Sequence, residues 1–161
     1  MDLLKALAVA AAISITAAIP ASAQQPLTYG APISLEMAKK AIAAAEAEAI
    51  KNNWGMVIAV VDSGGRLVAM QRMDTAAAGS IRVAIGKART AIDFMAPTKV
   101  WDDRLATGGQ AMRLLTLGGA TLIEGGFPIV VDGKIIGAIG VSGAAANQDA
   151  QVALAGVNAL K

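Results

Sequence analysis

Two hairpin signals set the frame of this sequence. Asp62-Ser-Gly-Gly65 separates the apolar, β-branched run Met56–Val61 from a second run, Arg66–Met73. Asp132-Gly133 separates Phe127–Val131 from Ile135–Val141. Asp-Gly supplies the two positive-φ residues of a type I′ turn, whose twist matches that of paired strands. Two tight hairpins commit a sheet to largely antiparallel pairing. Helical patterns surround them. Leu35, Ala38, Ile42, Ala45 and Ala49 recur at helical spacing up to Asn52-Asn53, with Lys39, Lys40, Glu46 and Lys51 on the other faces. Ser34 is the expected N-cap, a partial one, because Met37 stands where a capping box wants Glu or Gln. A second helix is expected from Ser80, its cap, to Pro97, with Ile81, Ile85, Ala88, Ile92 and Met95 as the buried stripe. Asn147–Leu160 closes the chain as a third. Thr98–Gly109 reads as irregular with room for a short helical piece, Ala111–Leu117 is ambiguous, and Thr121–Glu124 reads as a short strand. Helices packed on a central antiparallel sheet make an α+β domain.

That domain does not begin at residue 1. A basic start at Lys5 leads into an apolar run from Ala6 to Ile19, then Pro20 and the small-residue triplet Ala21-Ser22-Ala23. These are the three parts of a secretory signal. The run is about 14 residues, too short for the roughly 20 that a membrane helix needs. The expectation is a signal peptide at 1–23, a flexible leader with two prolines at 24–32, and one domain at 33–161. The mature chain is then exported, periplasmic or extracellular, with no membrane span.

What is missing narrows the chemistry. The chain has no cysteine and no histidine. Disulfides, a Ser-His-Asp triad, a Cys-His dyad, His-ligated zinc and His-ligated haem are all excluded. Fourteen basic residues against 12 acidic ones give a net charge of +2, without any basic run, and aromatics are 3% of the chain, so a nucleic-acid partner has no support. The many alanines and 17 glycines permit close packing of helix on sheet or subunit on subunit, which points to a homo-oligomer.

A few side chains could carry chemistry. Lys87-Ala-Arg-Thr90 places two cations and a hydroxyl within one helical turn, suited to an anionic group. The competing reading is an Arg89–Asp93 pair at i,i+4 with Lys87 in solvent. Lys87 and Arg89 are about 200° apart on a helix, so they cannot share a cleft, whereas Lys87 and Thr90 lie on one face. Glu124 stands among apolar residues and glycines, where it could meet a ligand. Gly125, Gly126 and Gly140 would let a flat ligand approach the backbone. Asp62 and Asp132 belong to the hairpin turns. Asp102-Asp103 beside Arg104 could hold a cation, with solvated loop charge as the preferred reading. The six methionines beyond the signal are core filler first and soft metal donors second.

Several of these residues also fit a known pattern. Asp62-Ser-Gly-Gly65-Arg-Leu67 with Arg72-Met73-Asp74, Lys87-Ala-Arg-Thr90-Ala91, Gly125-Gly-Phe-Pro128-Ile129, Ile136-Gly-Ala-Ile-Gly140-Val-Ser-Gly143 and Gln148-Asp149-Ala150 resemble the GlcG/HbpS-like haem-binding family. The resemblance covers residues 33–161. It implies a profilin-like fold and homo-oligomers, octamers among them. It also implies haem or a similar planar anionic molecule as the small-molecule ligand. Relatives with a histidine ligand have no counterpart in this chain. Haem would be ligated by Thr90, a Met or a Tyr, or would sit in an apolar cleft held by its propionates. The expected function is an exported oligomeric binding protein. The alternatives are an enzyme of the same family acting on haem or a small metabolite, and an accessory oligomer with no ligand. Binding is preferred to catalysis because no recognisable acid–base motif is present.

Overall fold

The computed structural model describes residues 26–161. The expected signal peptide, residues 1–23, lies outside them. The elements are β1 (Thr28–Tyr29), α1 (Leu35–Lys51), β2 (Val57–Asp62), β3 (Leu67–Arg72), α2 (Ser80–Asp93), α3 (Lys99–Ala106), a 3-10 segment (Gly109–Thr116), β4 (Gly126–Val131), β5 (Lys134–Ser142) and α4 (Ala146–Asn158).

Both hairpins form. Asp62 Oδ1 accepts from the Gly64 and Arg66 amides at 2.8 and 2.9 Å, and Gly65 supplies a φ of 74°. Asp132 and Gly133 adopt φ of 49° and 73°, the type I′ signature. β5 then joins the hairpins by pairing antiparallel with β2 on one edge and β4 on the other. β1 adds a two-residue parallel pairing at Lys134–Ile135, beyond the end of the β2 partner stretch. The five-stranded sheet is therefore mixed, antiparallel except at β1.

Strand alternation sorts the core. β2 is central, and Val57 to Val61 are all fully buried. Ile58 and Val60, with Ile139, Val141 and Ile129, face α1 and α4, which pack together on one side. Val57, Ala59 and Val61 face α2 on the other. Each of these isoleucines and valines is worth roughly 1.5–3 kcal/mol on burial. The register between β4 and β5 shifts at Ile129/Val130, leaving Ile136 as an extra residue. This bulge explains why Ile135 and Ala138, three positions apart, pack in the same cluster beneath α2.

Several expectations change. Ser34 does cap α1, accepting from the Met37 amide at 3.2 Å. Ser80 does not cap α2: it is the first helical residue, and Gly79 precedes it without a side-chain cap. The stretch 98–109, read as irregular with room for a short helical piece, contains the eight-residue helix α3. Residues 121–124 form no strand; β4 starts at Gly126. The stretch read as a flexible leader is tied down at β1, where the Tyr29 hydroxyl donates to the Ile92 carbonyl at 2.8 Å.

Candidate functional site

The positions singled out on α2 and the glycines mostly turn out to be interior. α2 rests directly on the sheet backbone. A Cβ at Gly140 would collide with the Ala84 carbonyl and the Ala88 amide, and one at Gly126 with the Lys87 carbonyl. These glycines let α2 lie directly on the sheet. Thr90 is 1% exposed: its hydroxyl donates to the Gly86 carbonyl at 2.9 Å and accepts from the Thr121 amide at 2.7 Å. It staples the returning chain to α2 and offers no free oxygen to a metal.

Lys87 is equally enclosed, at 1% exposure. Its ammonium passes the end of the sheet and donates to Asp149 Oδ2 at 2.7 Å and to the Val141 carbonyl at 3.0 Å. Gly125, at φ 122°, leaves the space this needs, since a Cβ there would lie 2.9 Å from both Lys87 Nζ and Asp149 Cβ. Asp149 also accepts from the Ala144 amide at 3.1 Å. Burial pushes its carboxyl above the ordinary 3.8, and the hydrogen bond and charge of Lys87 pull it back. The pair ties α2 to α4 from opposite faces of the sheet.

Arg89 and Glu124 do reach the surface. Arg89 Nε donates to the Gly65 carbonyl at 3.3 Å, and no ion pair with Asp93 forms despite the i,i+4 spacing. Arg89 and Asp93 instead line one cleft of about 350 Å³, with Phe94 and residues 117–120. The Glu124 amide donates to Asp102 Oδ2 at 2.9 Å, and its carboxylate lies 4.0 Å from Lys99 Nζ. Lys99 is paired at 2.7 Å with Asp103, whose hydrogen bond raises the lysine pKa. Asp102 and Asp103 are thus committed to α3 and its return, and no group of three His, Cys, Asp or Glu suited to a metal occurs among the described residues.

The sequence reading missed the surface built by residues 94–123. The cleft at Arg89 adjoins an apolar trough of about 290 Å³, sharing Leu117 and Ala120 with it. Leu105, Leu114, Leu115 and Leu122 line the trough. Beyond Leu114 lies a third cleft of about 240 Å³, with Arg104, Thr107, Gln110 and Arg113. Trp101 links the parts: its ring lies 4.9 Å from Phe94, and Arg104 sits 5.0 Å over it. Its buried indole N–H has no partner. The available signal was the 3.6 spacing of Trp101 and Leu105, which Gly108-Gly109 and Gly118-Gly119 obscured. A separate cleft of about 370 Å³ at Ile50, Asn53, Trp54, Met73 and Thr75 contains no titratable group.

The methionines divide as their packing dictates. Met56, Met37, Met73 and Met95 belong to or pack on the core, while Met70 is 39% and Met112 50% exposed. Met112, on the 3-10 segment, is the soft donor nearest in sequence to the trough.

Comparison with known proteins follows the same lines. Residues 33–158 match a family model described as "Haem degrading protein HbpS-like". Protein GlcG of Escherichia coli K12 is 46% identical over 110 residues, 68% of this chain and 81% of GlcG. The crystal structure of a double mutant of Streptomyces reticuli HbpS superposes with a TM-score of 0.75 at 37% identity, covering 90% of this chain and 99% of HbpS. A PduOC:heme complex superposes with a TM-score of 0.72 at 26% identity, covering 80% of this chain and 94% of PduOC.

Proposed function

This chain belongs to the HbpS-like family of haem-degrading proteins, and on that premise we propose that it binds haem or a similar planar anionic molecule along the leucine trough that ends at Arg89. The observation carrying this reading is the adjacency of an apolar trough to an exposed arginine that forms no ion pair, although Asp93 lines the same cleft. Haem has the same asymmetry, with a flat apolar body and two propionates on one edge. The body would cover Leu105, Leu114 and Leu122, and the propionates would meet the Arg89 fork. The residues present fit the acid edge and the apolar faces. They offer no imidazole to the iron, since the chain has no histidine. Met112 is the exposed soft donor on this segment, and the Tyr29 hydroxyl is already given to Ile92. Bound haem supplies redox-active iron; the chain's part is to hold its edge and shield its face.

Binding is the preferred activity, as an exported homo-oligomer. Exposed Leu115, Ile123 and Met112 beside the trough support both a ligand and a covering subunit. The family's description as haem-degrading supports turnover as the second reading. A haemin titration followed at the Soret band separates them. Saturable binding, weakened about tenfold by Arg89→Ala or Leu114→Asp and unchanged by the distant Lys51→Ala, supports binding (one charge-assisted contact is about 1.5–3 kcal/mol). Loss of the Soret band on adding a reductant replaces binding with turnover. Wild type that does not bind refutes both. Intact mass of the exported protein, expected to start at Gln24, tests export, and light scattering tests the oligomer.

A further inference from the structure

Arg104 and Arg113 line the cleft that adjoins the trough at Leu114. We propose that this cleft is a binding site for a small, doubly charged oxyanion, of the phosphate or dicarboxylate type. Arg104 stands in the last turn of α3 and Arg113 on the 3-10 segment, and the two line one space of about 240 Å³ with Thr107 and Gln110. Two exposed guanidinium groups in one cleft repel each other, and a carboxylate normally relieves that. Here none does: neither arginine has an ion-pair partner among the described residues. The nearest acids along α3 are spent, Asp102 on the Glu124 amide and Asp103 on Lys99.

The donors are free as well. A guanidinium carries five N–H groups in a fixed fork. Three backbone carbonyls near them already accept local hydrogen bonds. The Arg104 carbonyl accepts from the Thr107 amide at 3.1 Å and the Thr107 hydroxyl at 2.8 Å, and the Leu105 carbonyl from the Gly108 amide at 3.0 Å. The Arg113 carbonyl accepts from the Thr116 hydroxyl at 2.7 Å. Capping the end of α3 in this way also blunts the negative dipole end that would oppose an anion.

Arg104 is held in place by its stack on Trp101, which in turn packs against Phe94. Between the arginines the chain reverses at Gly108 and Gly109, with φ of 66° and 55°, and a Cβ on either would meet no atom within 4 Å. The turn therefore leaves the space beside it open, and Gln110, which lines the cleft, adds a neutral donor. Two guanidinium forks in one cleft favour an anion with at least two pairs of oxygens. A single carboxylate satisfies one fork only. The site does not depend on the haem reading, because the propionates of a molecule in the trough share one edge and meet Arg89.

Trp101 reports on this site. In a Trp54→Phe background, its fluorescence is followed while sodium phosphate, malonate or chloride is added at constant ionic strength, with calorimetry in parallel. A saturable change with phosphate or malonate and none with chloride supports the proposal. Whichever of the two anions binds more tightly identifies the class. Arg113→Ala should weaken binding at least about tenfold. Arg104→Lys, which keeps the charge but loses the fork and the stack, should do the same, and Lys51→Ala should leave it unchanged. Far-UV circular dichroism confirms that each variant is folded. Equal responses to all three anions, or phosphate and malonate binding that survives both arginine substitutions, overturns the proposal. So does the absence of any saturable signal by both methods.

Discussion

Replacing Lys87 by methionine keeps an unbranched side chain, one atom shorter, and removes its charge. In the wild type the ammonium lies 2.7 Å from Asp149 Oδ2, and the two side chains are 2% and 3% exposed. Breaking a buried pair from one side costs about 3–5 kcal/mol, because the partner is left without compensation. At about 2–4 °C per kcal/mol for a chain of this size, the melting midpoint should fall by roughly 6–20 °C. Lys87→Met/Asp149→Leu removes both charges. It gives up the Ala144 hydrogen bond at 3.1 Å and the Lys87 bond to the Val141 carbonyl at 3.0 Å, about 1 kcal/mol each, but buries no unpaired charge. The double variant should therefore be more stable than Lys87→Met, with a coupling of about 2 kcal/mol or more. The deficit of the single variant should also depend on pH. Burial already raises the Asp149 carboxyl above 3.8, and loss of the cation raises it further. A raised folded pKa means the native state holds the proton more tightly than the unfolded chain. Its contribution is present below the unfolded value and lost as pH rises through the folded one. The Lys87→Met deficit should thus grow as pH increases from about 4. Urea unfolding followed by tryptophan fluorescence at several pH values measures all three quantities. Additive single costs, or a Lys87→Met loss below about 1 kcal/mol, would show that the pair is not the buried tie described above.

Three further outcomes follow from the same packing. Gly140→Ala pushes a methyl into the backbone of α2 at Ala84 and Ala88, neither of which can rotate away; unfolding should become easier by about 1–3 kcal/mol. Thr90→Val strands the Thr121 amide and should cost about 1–3 kcal/mol, with Thr90→Ser recovering most of it in the same denaturation assay. Glu48 accepts from Gln151 at 2.6 Å and from Asn52, and these hydrogen bonds lower its pKa from 4.5. Its contribution holds above 4.5 and is lost as pH falls through the lowered value, so the melting midpoint of Glu48→Gln should fall less than that of wild type on acidification.

The sequence carried the sheet more fully than the surface. Both hairpins were legible because Asp and Gly at their turns have few competing uses, and β2 because an unbroken apolar run rich in β-branched residues suits a strand covered on both faces. The GlcG/HbpS-like resemblance was correct and the family match confirms it. The parallel pairing of β1 was not legible, since two residues carry no periodicity. Lys87 was placed correctly on the Thr90 face, but that face turned inward. A lysine next to alanines reads as solvated unless its acid is known, and Asp149 is distant in sequence. The glycines were recognised as sites of close approach, and what approaches them is α2 itself. Arg113 and the leucines of the trough went unnoticed, and Arg104 was seen only as a neighbour of Asp102-Asp103, because they belong to a segment whose shape is set by tertiary contacts, not by its own pattern.

That segment leaves and re-enters the molecule at almost the same place. The Thr98 amide donates to the Gly126 carbonyl at 3.0 Å, and Thr98 Oγ1 accepts from the Gly126 amide at 2.9 Å. Between these points α3 packs chiefly on the 3-10 segment. A stretch with adjoining ends behaves like a cassette. It can be lengthened, shortened or exchanged while the strands keep their register, because closing a longer loop costs only about 0.6 kcal/mol per doubling. Both proposed sites stand on this cassette and its junction with α2, and the buried residues that hold the sheet together lie elsewhere. Ligand preference can therefore diverge among proteins of this architecture while their cores stay alike, and transplanting residues 99–123 between two of them should carry the preference along.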